Sequence, residues 1–323
     1  MMTAADRGPV PGPPPLATLL DGVLAGNPRA LGRAISLVES GEAEGVALLR
    51  EIYPRGGRAA VVGLTGPPGA GKSSLIEGLA LHLLADGARV AVVAVDPSSP
   101  FTGGALLGDR IRMQSLFLHP RAFIRSMATR GAMGGISAVT LDAVDILDAA
   151  GFDWILVETV GVGQDEVDVA AAVGAVALVL VPGMGDDIQA LKAGVMEIAD
   201  LFVVNKADHD GADRTVADLE ALARLGGEGR PPRPVVRTVA TEARGIAGLA
   251  DRLSEVMAGL ADPDAARAKA ERQAEARLTR LLSARLLARA RQGESWGARL
   301  RAVAQRREDP YSACDAILKE VLC

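Results

Sequence analysis

Between residues 58 and 260 the chain alternates two kinds of hydrophobic pattern. Ala59–Thr65, Val90–Val95, Trp154–Val157, Val176–Val181, Leu201–Val204 and Val235–Val239 are short, nearly unbroken apolar runs. The intervening stretches are long enough for crossovers, and in one of them, Ser73 to Leu84, apolar residues return at helical spacing. Strands that are apolar on both sides can face water on neither. The pattern therefore predicts an α/β fold, with a mainly parallel central sheet flanked by helices. Ligands of such sheets bind at the carboxyl ends of the strands, where polar residues end these runs.

The flanks read differently. Pro9, Pro11, Pro13, Pro14 and Pro15 prevent a regular helix over residues 1–15, and the segment lacks the apolar core of a signal peptide, so a disordered leader is expected. Residues 16–57 turn helical. Leu19, Leu20, Val23 and Leu24 mark one helix, and Asn27 is the expected N-cap of a second, with Pro28 at its first position and Leu31, Ile35 and Val38 behind. Val46, Leu49 and Ile52 mark a third. The sheet domain is expected over 58–261 and a helical region over 262–323. In the latter, Leu278, Leu281, Leu282 and Leu286 form a stripe, with Arg272, Arg277, Arg280 and Arg285 among them. A long helix fits this stripe, either reaching beyond the globular domain or folded back on its own core.

Composition narrows the function class. The net charge is −5 over 323 residues with both signs interspersed, which argues against a nucleic-acid surface or a polybasic membrane anchor. Hydrophobic residues reach 49%, yet no unbroken apolar stretch is long enough to span a bilayer. Cys314 and Cys323 both lie in the C-terminal tail, which argues against a disulfide framework or a Cys-rich metal site and points to a reducing cytoplasm.

Residues 66–73 carry the chemistry most clearly. Gly66-Pro67-Pro68-Gly69-Ala70-Gly71-Lys72-Ser73 is a complete G-x-x-x-x-G-K-[ST] phosphate loop, set between a predicted strand and a predicted helix as that motif requires. Its glycines let backbone N–H groups converge on phosphates at the positive end of the following helix, which Ser73 and Ser74 open. Lys72 is placed to reach the β- and γ-phosphates, and the Ser73 hydroxyl to ligate Mg²⁺. Asp96 and Glu158 stand at strand ends, and with Asp109 they are the candidate acids of the metal shell. The alternative reading of Asp109 is a helix cap or a solvated loop acid. Glu158-x-x-Gly161 is similar to a GTPase switch, in which an Asp usually stands at the Glu158 position and the Gly161 amide would sense the γ-phosphate.

Asn205-Lys206-Ala207-Asp208 fits the N-K-x-D base sequence. Asp208 accepts from the guanine ring N–H and exocyclic amine, Asn205 bonds the ring's acceptors, and the Lys206 stem stacks on the base, which favours GTP over ATP. Val239 and Ala240, at the end of the last predicted strand, join the candidate guanine site. Val162 stands where Ras-like proteins place a water-orienting Gln, so slow intrinsic hydrolysis is expected. Gln164, Asp96 and Glu158 are the candidates to orient the water instead.

With these residues in place, the chain resembles the MeaB/ArgK family of SIMIBI-class P-loop GTPases, associated with methylmalonyl-CoA mutase and related cobalamin-dependent mutases. The resemblance rests on residues 95–110 (Val-Asp-Pro-Ser-Ser-Pro-Phe-Thr-Gly-Gly-Ala-Leu-Leu-Gly-Asp-Arg), 123–131 (Phe-Ile-Arg-Ser-Met-Ala-Thr-Arg-Gly), 157–165 (Val-Glu-Thr-Val-Gly-Val-Gly-Gln-Asp) and 182–194 (Pro-Gly-Met-Gly-Asp-Asp-Ile-Gln-Ala-Leu-Lys-Ala-Gly). It runs from the helical lead-in through the nucleotide domain and weakens after about residue 262. It implies a GTPase that converts GTP to GDP and phosphate with Mg²⁺, for which Lys72, Asp96, Glu158 and Gln164 are the candidate catalytic residues. It also implies a first switch containing Asp96 and Asp109, a second containing Glu158, and a third containing Asp186, Asp187, Gln189 and Lys192 that couples mutase binding to the nucleotide. A homodimer built by the C-terminal helices is implied as well. The function it implies is a chaperone that gates adenosylcobalamin loading into a methylmalonyl-CoA mutase or related acyl-CoA mutase, or protects and reactivates that enzyme.

Two other readings share the phosphate loop. A nickel-delivery GTPase of the same class needs Cys or His ligands, whereas His82, His119 and His209 are the chain's histidines and none is at metal spacing. A kinase or ATPase linked to lysine/arginine/ornithine transport would need an acceptor-binding subdomain, and the guanine-type base sequence argues against it.

Overall fold

In the computed structural model the described residues are 15–96, 113–128, 138–159, 173–183, 198–224, 233–259 and 263–322. The chain divides into two compact units, Met1–Asp262 and Pro263–Cys323.

Three helices open the first unit: α1 (Leu16–Leu24), α2 (Pro28–Ser40) and α3 (Ala43–Ile52). The Asn27 side chain caps α2 by accepting from the Arg29 and Ala30 amides at 2.9 and 3.2 Å, and Pro28 occupies the first turn, where its missing N–H costs nothing. One expected position is corrected. Val46 is exposed, and α3 instead buries Gly45, Leu48 and Ile52, a face rotated by one residue toward α2 and the sheet.

The sheet strands are β1 (Ala60–Thr65), β2 (Val90–Asp96), β3 (Ala122–Ala128), β4 (Trp154–Thr159), β5 (Ala175–Leu180), β6 (Leu201–Val204) and β7 (Val235–Arg237). Among the described residues they form one sheet in the order β3-β2-β4-β1-β5-β6-β7, and every recorded pairing is parallel. The helices α4 (Lys72–Ala85), α5 (Gln114–Phe117), α6 (Ala138–Ala149), α7 (Ala212–Arg224) and α8 (Ile246–Gly259) complete the unit.

Alternation along the strands assigns the two faces. Val62 and Leu64 of β1 and Ala177 and Val179 of β5 pack with α4 and α8, burying Leu75, Leu79, Leu249 and Leu253. On the opposite face Ala91, Val93, Ile155 and Val157 pack with Leu31, Ile35, Leu48 and Ile52 of the opening helices and with Ile146 and Leu147 of α6. Farther along that face, Leu178, Leu180, Phe202 and Val204 meet Val216 and Leu219 of α7. The opening helices thus form part of a sheet layer, and their burial is shared with the strands that carry the site.

The amino ends of the strands are fixed by polar staples. The Asp148 carboxylate accepts from the backbone of Gly57, Arg58 and Ala59 where the chain enters β1, at 3.1 Å for Arg58 and 2.9 Å for Ala59. Arg89 donates to the Ala150 and Gly151 carbonyls that follow α6, at 2.9 and 3.1 Å, and lies 4.8 Å from the Phe152 ring centroid.

The apolar runs do not predict β3. It is an edge strand, Ala-Phe-Ile-Arg-Ser-Met-Ala, in which Arg125 and Ser126 break the pattern. Arg125 extends to Ser36 Oγ at 3.1 Å and pairs with Glu39 of α2, so a charged residue is accommodated at a partly buried position.

The second unit contains α9 (Pro263–Gln292), α10 (Glu294–Ala304) and α11 (Pro310–Leu322). At 1.5 Å per residue the 30 residues of α9 extend about 45 Å. Leu278 and Leu282 of its stripe are exposed, whereas Ala290, Ala313 and Val321 are buried. Among the described residues, no helix is long and apolar enough to cross a membrane.

Asp309 caps α11, accepting from the Tyr311 and Ser312 amides at 3.0 and 2.9 Å. The Ser312 side chain, and next the Ser312 backbone, hold its carboxyl below the usual range. A depressed folded pKa contributes stability above the unfolded pKa, and that contribution is lost as pH falls through the folded value. Asp309→Ala is therefore expected to lower the melting temperature at pH 7, with the difference from wild type closing below about pH 4. Trp296 fluorescence in a Trp154→Phe background would follow it, and a difference that persists undiminished at about pH 2.5 would remove the carboxylate cap as its cause.

Candidate functional site

The carboxyl ends of β1, β4 and β6 bring the predicted residues together. The strand register sets Glu158 beside Leu64 of β1 and Ala94 of β2, and Asp96 ends β2 beside Ala128. The phosphate loop follows β1 directly, and α4 begins at Lys72 with Gly71 as its N-cap. Two glycines are sterically required. Gly66 has φ 141° and a Cβ there would lie 2.1 Å from the Val179 carbonyl oxygen. Gly71 has φ 84° and a Cβ there would lie 2.5 Å from Asn205 Nδ2.

Lys72 is buried, and its Nζ donates to the Gly66 and Pro67 carbonyls at 2.8 and 3.0 Å. The ammonium is thus folded over the loop at the positive end of α4, where a polyanion is favoured. Ala70 is fully buried, while Pro68, Gly69 and Ser74 are exposed. Ser73 Oγ donates to Glu158 Oε1 at 2.6 Å, and Glu158 is buried. A hydroxyl and a carboxylate held that close form a hard oxygen donor set, which fits Mg²⁺ with waters completing its shell. Glu, one methylene longer than the usual Asp, spans from β4 to the first turn of α4.

The base sequence leaves β6 with Lys206 at φ 56°. Asn205 is buried and its amide is engaged at both ends. Nδ2 donates to the Ala70 carbonyl at 2.8 Å, and Oδ1 accepts from Thr238 Oγ1 at 3.1 Å and from the Ala240 amide at 3.2 Å. In the structure this amide also braces the phosphate loop against the segment after β7. Asp208 remains available at the surface, its side chain 39% exposed and 3.8 Å from His209 Nε2. Val239 is buried and pairs with Arg244 through hydrogen bonds of 3.0 and 3.2 Å, closing the tight loop that presents Ala240.

Asp109, Gly161, Val162, Gln164, Asp186, Asp187, Gln189 and Lys192 lie outside the described residues, as does the side chain of Asp96. Thr238 is the site residue that sequence reasoning missed. It follows a three-residue edge strand, and nothing local marks a threonine there as different from a solvent-facing one.

A phosphate loop, a strand-end carboxylate bonded to its serine and an N-K-x-D turn on the same sheet edge describe a guanine-nucleotide site. The family model for the methylmalonyl Co-A mutase-associated GTPase MeaB matches residues 31–295. The chain belongs to the MeaB family of GTPases. A relative from Pyrococcus abyssi, whose name marks it as a GTPase, is 47% identical over 314 residues, covering 94% of this chain and 96% of that one. The Escherichia coli GTPase ArgK is 41% identical over 232 residues, covering 68% and 70% of the two chains. Among solved structures, one titled LAO/AO transport system kinase is similar in fold, with a TM-score of 0.72 and 27% identity over 97% of this chain and 100% of that one. As a MeaB-family GTPase, this chain hydrolyses GTP to GDP and phosphate.

Proposed function

We propose that this GTPase is the nucleotide-driven chaperone of a cobalamin-dependent acyl-CoA mutase, methylmalonyl-CoA mutase in the first instance, gating adenosylcobalamin loading or reactivation in the cytoplasm. The observation that carries the reading is the match of residues 31–295 to a family described as associated with that mutase. In this reading Lys72 and the backbone N–H groups of residues 69–73 hold the β- and γ-phosphates, Asp208 reads guanine, and Ser73 and Glu158 hold Mg²⁺, with Asp96 and Asp109 completing its shell. The metal would supply charge neutralisation on the phosphates. Gly161 senses the γ-phosphate, and Gln164, Asp96 and Glu158 are the groups from which attacking water takes its orientation. The 186–192 segment transmits mutase binding, and the C-terminal unit, with Leu278 and Leu282 exposed, supplies the homodimer contact.

The test is GTP turnover with and without saturating mutase. With Val162 in place of a water-orienting Gln, slow intrinsic turnover is expected to rise at least about tenfold on mutase binding. Gln189→Ala and Lys192→Ala are expected to reduce that stimulation while changing intrinsic turnover little. No stimulation by any cobalamin-dependent mutase would remove the chaperone reading, and equal stimulation in both variants would remove the coupling role of 186–192. A second reading takes its support from the structural relative, named as a transport-system kinase. Transfer of the γ-phosphoryl group to a protein or amino-acid acceptor instead of water would favour it.

A further inference from the structure

We propose that Thr238 is a positioning residue of the nucleotide site: it orients Asn205 and, through Asn205, ties the base-binding turn to the phosphate loop. The proposal rests on the guanine reading of the Asn205–Asp208 turn. Thr238 is 1% exposed and makes three hydrogen bonds to the end of β6 and that turn. Its amide donates to the Val204 carbonyl at 2.9 Å, its carbonyl accepts from the Ala207 amide at 3.0 Å, and its hydroxyl donates to Asn205 Oδ1 at 3.1 Å. A valine would fill the same space and serve packing alone, whereas a buried hydroxyl is costly unless hydrogen-bonded. The bond to Asn205 offsets that cost and gives the hydroxyl a task.

The task follows from the two different ends of an amide. Asn205 Oδ1 faces two donors, Thr238 Oγ1 and the Ala240 N–H, while Nδ2 faces an acceptor, the Ala70 carbonyl. Turning the amide over would set N–H against N–H at one end and oxygen against oxygen at the other. The network therefore admits one orientation. Ala70 lies in the phosphate loop and Gly71 has no room for a Cβ beside Nδ2, so an Asn205 that rotates disturbs the loop directly. Hydrogen bonds thus link residues 70, 205, 238 and 240, and a nucleotide that spans base and phosphate sites benefits from a distance between them that is fixed in advance.

Removing the hydroxyl with Thr238→Val leaves Oδ1 one donor short. Dissociation of a fluorescent GDP analogue is expected to speed up about tenfold. Thr238→Ser, which keeps the hydroxyl, is expected to stay within about twofold of wild type. In an Asn205→Ala background, adding Thr238→Val should change the rate by less than about twofold, because a positioning residue has nothing left to position. An unchanged rate in Thr238→Val, or an equal acceleration with and without Asn205, would overturn the proposal. Should Thr238→Val fail to give a cooperative melting curve, Thr238→Ala takes its place in the same cycle. Wild-type protein that binds ATP as tightly as GTP would overturn the guanine reading beneath the proposal, and no Thr238 variant can produce that result.

Discussion

Lys72→Met is expected to weaken GTP binding by at least about a thousandfold. The Lys72 ammonium is buried at the amino end of α4, where charge-assisted hydrogen bonds to phosphate are worth about twice those between neutral groups. Two such bonds lost from a partly desolvated site amount to about 4 kcal/mol, or three powers of ten in affinity. Methionine retains the length of the stem, so packing around it is largely kept. The substitution also removes the bonds from Nζ to the Gly66 and Pro67 carbonyls, at 2.8 and 3.0 Å. The loop's own conformation is therefore a second route to lost affinity, and Lys72→Arg distinguishes the two. Arginine preserves the charge but cannot occupy the compact site between those carbonyls. Calorimetry is the measurement, and near-normal GTP affinity in Lys72→Met would remove the phosphate-loop assignment.

Asp208→Asn is expected to exchange guanine for xanthine. The carboxylate accepts from both the ring N–H and the exocyclic amine of guanine, whereas an amide must donate on one side, which suits the carbonyl that xanthine carries there. Because the Asp208 side chain is 39% exposed, the loss of GTP affinity is set at about a hundredfold, below the four to five powers of ten that a sealed site can reach. Competition between GTP, xanthosine triphosphate and ATP for one fluorescent probe measures it. A variant that still ranks GTP first would move base recognition away from Asp208.

The parts of the site that could be read in the sequence are those whose chemistry sits on adjacent residues. The phosphate loop between an apolar run and a helix, and the N-K-x-D turn after β6, each carry strand, turn and ligand group within a dozen or so positions, so pattern alone placed them at strand ends. The sheet was legible for the same reason wherever a strand is buried on both faces. β3 was not, because an edge strand that turns Arg125 toward Glu39 has a mixed pattern that its own residues do not explain. Nor were the bonds between elements. Ser73 with Glu158, Asn205 with Ala70 and Thr238 with Asn205 join positions 85, 135 and 33 residues apart. Periodicity records whether a position is buried, and it carries no record of which distant group shares that burial. Asn205 illustrates the difference: its place in the site followed from the sequence, while the partners that occupy its amide came from the tertiary structure.

The position of β1 at the middle of the sheet sets an order of events during synthesis. Its hydrogen-bonded neighbours are β4 and β5, Trp154–Thr159 and Ala175–Leu180, so the strand that launches the phosphate loop emerges from the ribosome well before either partner exists. At about 5–20 residues per second the apolar run Ala60–Thr65 waits on the order of ten seconds for its sheet, longer than most local structure takes to form. GTP can therefore assist folding only late. The loop that would grip it stays unsupported until more than half of these 323 residues have been made, and during that interval the nascent protein depends on whatever shields exposed strands from other chains.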